Sequence, residues 1–161
     1  MKFKDKINVL SAVAAGIFAG GTLMIGVTFG LQWSDLSPAE LVIAFPHDWK
    51  NIATTIIPFA LLQTFLIPLS LYFSWNNKCA RRLWIIALGL WFANCTITSV
   101  YHFPIVLQGL NGTIETSEIR AVVDQWLLFH WPRVALGFAA TIYAVYACMI
   151  TYKKSEKHHE A

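Results

Sequence analysis

Charge is what this sequence has least of: Asp, Glu, Lys and Arg supply 13% of its 161 residues, against about 25% in a typical soluble domain. That scarcity, with 57% hydrophobic residues and seven Trp, excludes an ordinary water-soluble globule. The net charge is only +3 and the basic residues form no patch, which excludes a nucleic-acid partner. Cysteine is also sparse. Cys79, Cys95 and Cys148 follow no metal-ligand spacing, so neither a disulfide framework nor a cysteine-based zinc site is expected. Repeats and low-complexity tracts are absent, and no close pair of histidines lies within the apolar part of the chain.

Long apolar runs take the place of what is missing. Residues 7–31, 52–74, 83–107 and 127–152 form four of them, each long enough to cross a hydrocarbon core, which needs about 20 helical residues. Lipid offers the backbone no hydrogen-bond partner, so each run must be helical. The first is too long for a signal-peptide core and reads as a retained anchor. The expected fold is an all-α membrane protein, a four-transmembrane-helix bundle forming a single domain over residues 1–161, with the lipid bilayer as its solvent.

The basic residues give this bundle a direction. Lys2, Lys4 and Lys6 precede the first run, Lys78, Arg81 and Arg82 lie between the second and third, and Lys153, Lys154 and Lys157 follow the last. The opposite loops hold Lys50 and Arg120 among the acids Asp35, Glu40, Asp48, Glu115, Glu118 and Asp124. The positive-inside rule then places both termini in the cytoplasm (N-in/C-in), in a bacterial inner membrane, with residues 153–161 as a cytoplasmic tail. In the outer loops, Ser37-Pro38-Ala39-Glu40 has the form of a helix start. A short interfacial helix through Phe45 is expected there, with Trp33 and Trp49 at headgroup depth. Asn111-Gly112 reads as a turn, and a second outer helix is expected from Glu118. Trp75, Trp84, Trp126 and Trp131 also fit aromatic belts at the two membrane surfaces.

Polar groups within the runs are expensive in lipid and therefore informative. Trp126, His130 and Arg133 are spaced by four and three, which puts them on one helix face. Asn94, Thr98, Tyr101 and His102 make a similar stripe on the third run. Facing each other, these stripes would enclose an outward-opening pocket, with Gln63 and Thr28 in its wall. Arg133 needs an acceptor, for which Asp48, Glu115, Asp124 or an anionic ligand are candidates. His130 is the candidate general base and Arg133 the candidate anion stabiliser, while Trp126, Tyr101, His102, Asn94 and Thr98 would contact substrate.

A second reading makes His47, His102 and His130 ligands of one transition metal, or His102 and His130 axial ligands of a haem. Ala12, Gly16 and Gly20, at four-residue spacing, read first as close packing within the bundle; a third, non-enzymatic reading has this face dock a second copy or a partner subunit of a larger complex.

The segment Trp126-x3-His130-x2-Arg133-x2-Leu136 resembles the signature of the anthrone oxygenase-like family of small four-span membrane proteins. Gly16-Ile17-Phe18-Ala19-Gly20-Gly21, Leu36-Ser37-Pro38 and Thr98-Ser99-Val100-x3-Pro104 are similar to it too. The family commonly has Pro-x-Asn, where this chain reads Pro104-Ile105-Val106, so that Asn is either lost here or replaced by His102 or Gln108. Named members oxidise polycyclic anthrones with oxygen and no obvious cofactor. The resemblance thus implies an oxidoreductase-like protein acting on a lipophilic, aromatic or quinone-like small molecule.

Overall fold

A computed structural model of the chain describes residues 3–157. Lys2, His158 and His159 lie outside the described residues, as do the side chains of Lys153, Lys154 and Lys157. The described chain is helical almost throughout: α1 (Phe3–Met24), a π-helical segment Ile25–Phe29, α2 (Gly30–Asp35), α3 (Pro38–Phe73), α4 (Lys78–Ile97), a second π-helical segment Thr98–His102, α5 (Phe103–Leu110) and α6 (Ile119–Lys157). Read through the π segments, these make four helices long and apolar enough to cross a membrane: Phe3–Asp35, Pro38–Phe73, Lys78–Leu110 and Ile119–Tyr152. They form a four-helix bundle whose outer surface is apolar, with Phe65, Phe92 and Val100 among its exposed side chains.

The helices begin where local chemistry supplies caps. Ser37 caps α3 in a capping box, its backbone N–H donating to Glu40 Oε2 at 2.8 Å while Pro38 occupies a first-turn position. Asn77 caps α4 by accepting from the Ala80 N–H. Nothing interrupts α3 after this start, so the expected short interfacial helix and the second span are one continuous element. Its prolines, Pro46, Pro58 and Pro68, lie within it. The Asn111-Gly112 turn forms as expected, with Gly112 at φ +65°.

Packing is most extensive between α6 and both α1 and α4. Small residues set the approach of α1 to α6. Ala14, Ala15 and Ala19 are fully buried, and a Cβ on Gly137 would sit 3.5 Å from Ala19 Cα, the close contact that small residues permit in membranes. The Ala12/Gly16/Gly20 stripe is not one free docking face. Ala12 is buried, Gly16 lies against Thr141, and only Gly20 has open space beside it.

The start of α1 and residues 148–152 of α6 meet at one end of the bundle, where Asp5, Asn8, Thr151 and Tyr152 line a common cavity. At the far end, Arg120 of α6 reaches Trp33 and Leu36. Tryptophan placement departs from the belt expectation. Trp75 and Trp131 are exposed, but Trp33, Trp84 and Trp126 are fully buried core residues. A belt residue and an end-layer core residue share the same depth, so sequence position alone does not separate them.

Replacing Gly137 by Val should lower stability by about 1–3 kcal/mol through overpacking against α1, read as a lower melting temperature in detergent. Gly20→Ala should leave it unchanged or slightly raised, since Ala favours a helix by about 1 kcal/mol over Gly. Equal losses at both positions would contradict this assignment of the α1 faces.

Candidate functional site

Residue order along α6 places Trp126, His130 and Arg133 on one inward face, and all three are buried. The opposing residues depend on the second π segment. Pro104 has no N–H to donate to the Val100 carbonyl, and its ring crowds that carbonyl in a regular helix. A π turn opens the ladder, and Phe103 N–H instead bonds back to Thr98. One extra residue in the turn makes His102, eight residues beyond Asn94, occupy the angular place that a seventh residue has in a regular α-helix. Asn94 and His102 are accordingly both buried to within 1%, while Tyr101 is turned aside onto Phe129, ring centroids 4.2 Å apart.

The first π segment meets the site from α1. Gly26 passes so close that a Cβ there would lie 3.2 Å from His130 Cδ2, and the Thr22 carbonyl accepts a 2.8 Å hydrogen bond from His130 Nε2. With Nε2 donating, Nδ1 of His130 is left as the acceptor for Arg133 Nη1, 3.4 Å away. Arg133 Nε reaches Asn94 Oδ1 at 3.5 Å, and Asn94 Nδ2 donates to the Arg133 carbonyl at 2.8 Å. These residues form one connected layer across three helices.

The layer is incompletely satisfied. Arg133 is 4% exposed, its two side-chain contacts are long, and no carboxylate pairs with it among the described residues. Asp48, Glu115 and Asp124 do not fill that role. Asp48 accepts from the Trp33 indole at 2.9 Å, and Glu115 and Asp124 are exposed. His102 Nδ1 lies 3.4 Å from the Ile97 carbonyl, and its Nε2, near the Trp126 carbonyl, has no well-formed hydrogen bond. The buried Tyr101 hydroxyl and Trp126 Nε1 have no partner either. A buried unsatisfied polar group costs about 1–3 kcal/mol, more when charged, so this concentration marks a place shaped for a further polar group.

Trp126 stacks on His130 (5.0 Å, 13°) and lies 4.8 Å from the His102 ring. Trp33, Phe45 and Trp49 surround it edge-on at 5.8, 6.0 and 5.9 Å. Together they close the far end over the layer. Arg120 holds this closure by donating to the carbonyls of Trp33 and Leu36 at the end of α2. The polar layer is therefore a sealed interior site rather than an open cup.

The structure brings Trp126, His130, Arg133, Asn94 and His102 together and sets Tyr101 at their edge. Thr98 spends its hydroxyl on the Asn94 carbonyl, and Thr28 is exposed. Gln63 is fully buried but one turn away from the layer, beside the Thr64 that bonds Trp91. The three-histidine metal set does not assemble. His47 is exposed, and no three His, Cys, Asp or Glu residues cluster for a metal among the described residues. A haem held by His102 and His130 does not fit the geometry: both nitrogens of His130 are engaged, and Trp126 packs against both rings. Sequence reasoning missed the closure by Trp33, Asp48 and Arg120, which no spacing rule links. It also missed a second buried polar group at the terminus-bearing end, for which the three-residue spacing of Asp5, Asn8 and Ser11 was the available signal.

No family model, curated protein or solved structure matches the chain. Its chemistry is thus read from the site itself. If Arg133 serves a ligand and not the fold, Arg133→Met should raise stability by about 1–4 kcal/mol, as removal of buried charge often does. The melting temperature in detergent measures this, and a comparable loss would make Arg133 a structural anchor.

Proposed function

We propose that the Arg133 layer binds a lipophilic ring compound carrying a phenol or carbonyl oxygen, quinone-like in character, and that the chain is an oxidoreductase-like membrane protein. The observation that carries this reading is the buried guanidinium with no carboxylate partner among the described residues. An anionic or carbonyl oxygen from a ligand would supply the missing acceptor, and a charge-assisted bond of this kind is about twice as strong as a neutral one. The oxidoreductase class rests on the resemblance of the Trp126/His130/Arg133 signature to the anthrone oxygenase-like family.

Within the layer the roles divide by which atoms are free. His130 has both nitrogens engaged and positions Arg133. His102 Nε2 has no well-formed hydrogen bond, so with the proton on Nδ1 His102 is the better base once Nε2 turns from the Trp126 carbonyl to the ligand. A ring hydroxyl would give its proton to His102 Nε2, and Arg133 would hold the phenolate that results. Trp126 offers the aromatic face beside both. The ligand reaches the layer by displacing the Trp33 closure, which sits on the six-residue α2 between a π segment and the extended Leu36. The distribution of basic residues puts this end outward, so in a bacterial inner membrane the site would face the periplasm with both termini in the cytoplasm.

Tryptophan fluorescence of the purified protein should be quenched by a short-chain naphthoquinone or by anthrone. Arg133→Met and His102→Ala should each weaken that binding about 10- to 100-fold, the loss expected for one charge-assisted or buried hydrogen bond. Unchanged titrations in both variants would sink the reading. Arg120→Ala should speed the onset of quenching by loosening the closure while leaving the affinity ranking of the ligands intact.

A further inference from the structure

A groove of about 150 Å³ lies between α3 and the stretch of chain where α1 passes into the first π segment. Its floor is the buried side chains of Ile25, Ile52 and Ile56, and its rim is the exposed Met24, Asn51 and Thr55. A Cβ on Gly21 would sit 2.5 Å from Ile56 Cδ1, so Ile56 rests on bare α1 backbone and closes the inner end. The exposed rim runs along the side of two spans, which opens the groove onto the lipid-facing surface.

Gly21 and Ile25 line this groove, while the residue after each, Thr22 and Gly26, meets His130 on the other side of the helix. One helix thus separates the groove from the Arg133 layer at a shared depth. An aromatic path leads around the outer end of that partition. Phe29 lines the groove and stands 5.8 Å from the Trp33 ring, Trp33 stands 5.8 Å from Trp126, and Trp126 stacks on His130. Trp33 is the closure that a ring ligand has to displace. A molecule that displaces it has its ring at the layer and, past Phe29, a way out to lipid.

The two spaces suit different parts of such a molecule. The layer offers a charge and directed donors. The groove has no charged group in its walls, and the Thr55 hydroxyl already donates to the Asn51 carbonyl at 3.2 Å. An apolar cavity of about this size takes up a molecule of roughly six carbons, such as benzene, which is a short length of hydrocarbon chain. Building on the function proposed above, we infer that the groove seats the first part of an aliphatic side chain on the ring ligand. The ligand of Arg133 is then a membrane-resident ring compound with an alkyl or isoprenoid substituent, not a bare ring. Lipid tails are as apolar as the groove, so a chain gains little by leaving lipid for it. The bond of the ring to Arg133 is what holds the chain there.

Photolabelling of the full chain in phosphatidylcholine vesicles tests this, with a naphthoquinone whose alkyl chain carries a diazirine at about the sixth carbon. Adducts should gather at Met24, Phe29 and Thr55, above their level at Phe65 and Phe92, which are exposed elsewhere on the bundle. Arg133→Met should bring them down to that level. Thr55→Phe, which fills the groove from an exposed position, should do the same and weaken binding of the alkylated compound about tenfold, the packing of roughly two methylene groups. Chain-free naphthoquinone should still quench tryptophan fluorescence in that variant as in the wild type. Met24→Phe is the second groove-filling variant should the first not fold. Groove adducts that persist in Arg133→Met would mark an ordinary seat for a lipid chain and overturn the inference. Adducts no more frequent in the groove than at Phe65, with chain-free naphthoquinone still bound, would overturn it too and leave the Arg133 site standing. If neither compound binds, the proposed function fails and takes the groove's role with it.

Discussion

A guanidinium enclosed among helices that face lipid must be balanced from within the protein, and the far half of this bundle is organised by that requirement. Arg133 has neither a carboxylate among the described residues nor bulk water beside it. Its compensation comes from an amide on α4 and an imidazole on its own helix. Each of those is fixed in turn: Asn94 by the Arg133 backbone carbonyl, and His130 by a carbonyl on α1. The result ties α1, α4 and α6 at a single depth. The aromatic cap of Trp33, Phe45, Trp49 and Trp126 then keeps solvent from relaxing it, which raises the strength of every electrostatic contact inside.

The two buried polar groups differ in kind. The layer around Arg133 holds a fixed positive charge and directed donors, which suits recognition of an oxygen on a ligand. The groups near the opposite end, Asn8, Ser11, Ser70 and Ser74, are uncharged hydroxyls and amides, and the bond between Asn8 and Ser74 ties α1 to the end of α3.

Much of this was legible in the sequence. The four spans follow from the length of the apolar runs, and the gathering of Trp126, His130 and Arg133 follows from helical spacing, because both depend on a period that sequence carries directly. His102 was legible as a neighbour of the site, but its alignment with Asn94 depends on a one-residue insertion in the turn, which only Pro104 hints at. The partner of each loop acid was not legible. Asp48 meets Trp33 across two helices and Arg120 meets α2 from the far side of the chain, contacts that no local rule connects. Trp33 and Trp84 were misread because a tryptophan near a span end satisfies a belt and a core equally well. Asn8 and Ser11 lie inside the first apolar run, where two small polar residues near a span end do not by themselves show which way they face.

The two π segments meet the site from different helices, one carrying Gly26 against His130 and the other carrying His102. A π turn holds one residue more than the surrounding α-helix, and at the second segment Pro104, which has no N–H to donate, fixes where that surplus sits. Without the surplus, His102 would be turned by about 100°, the step of one residue in an α-helix, and would leave the interior. The inward place of a buried imidazole thus depends on a proline two residues along the chain.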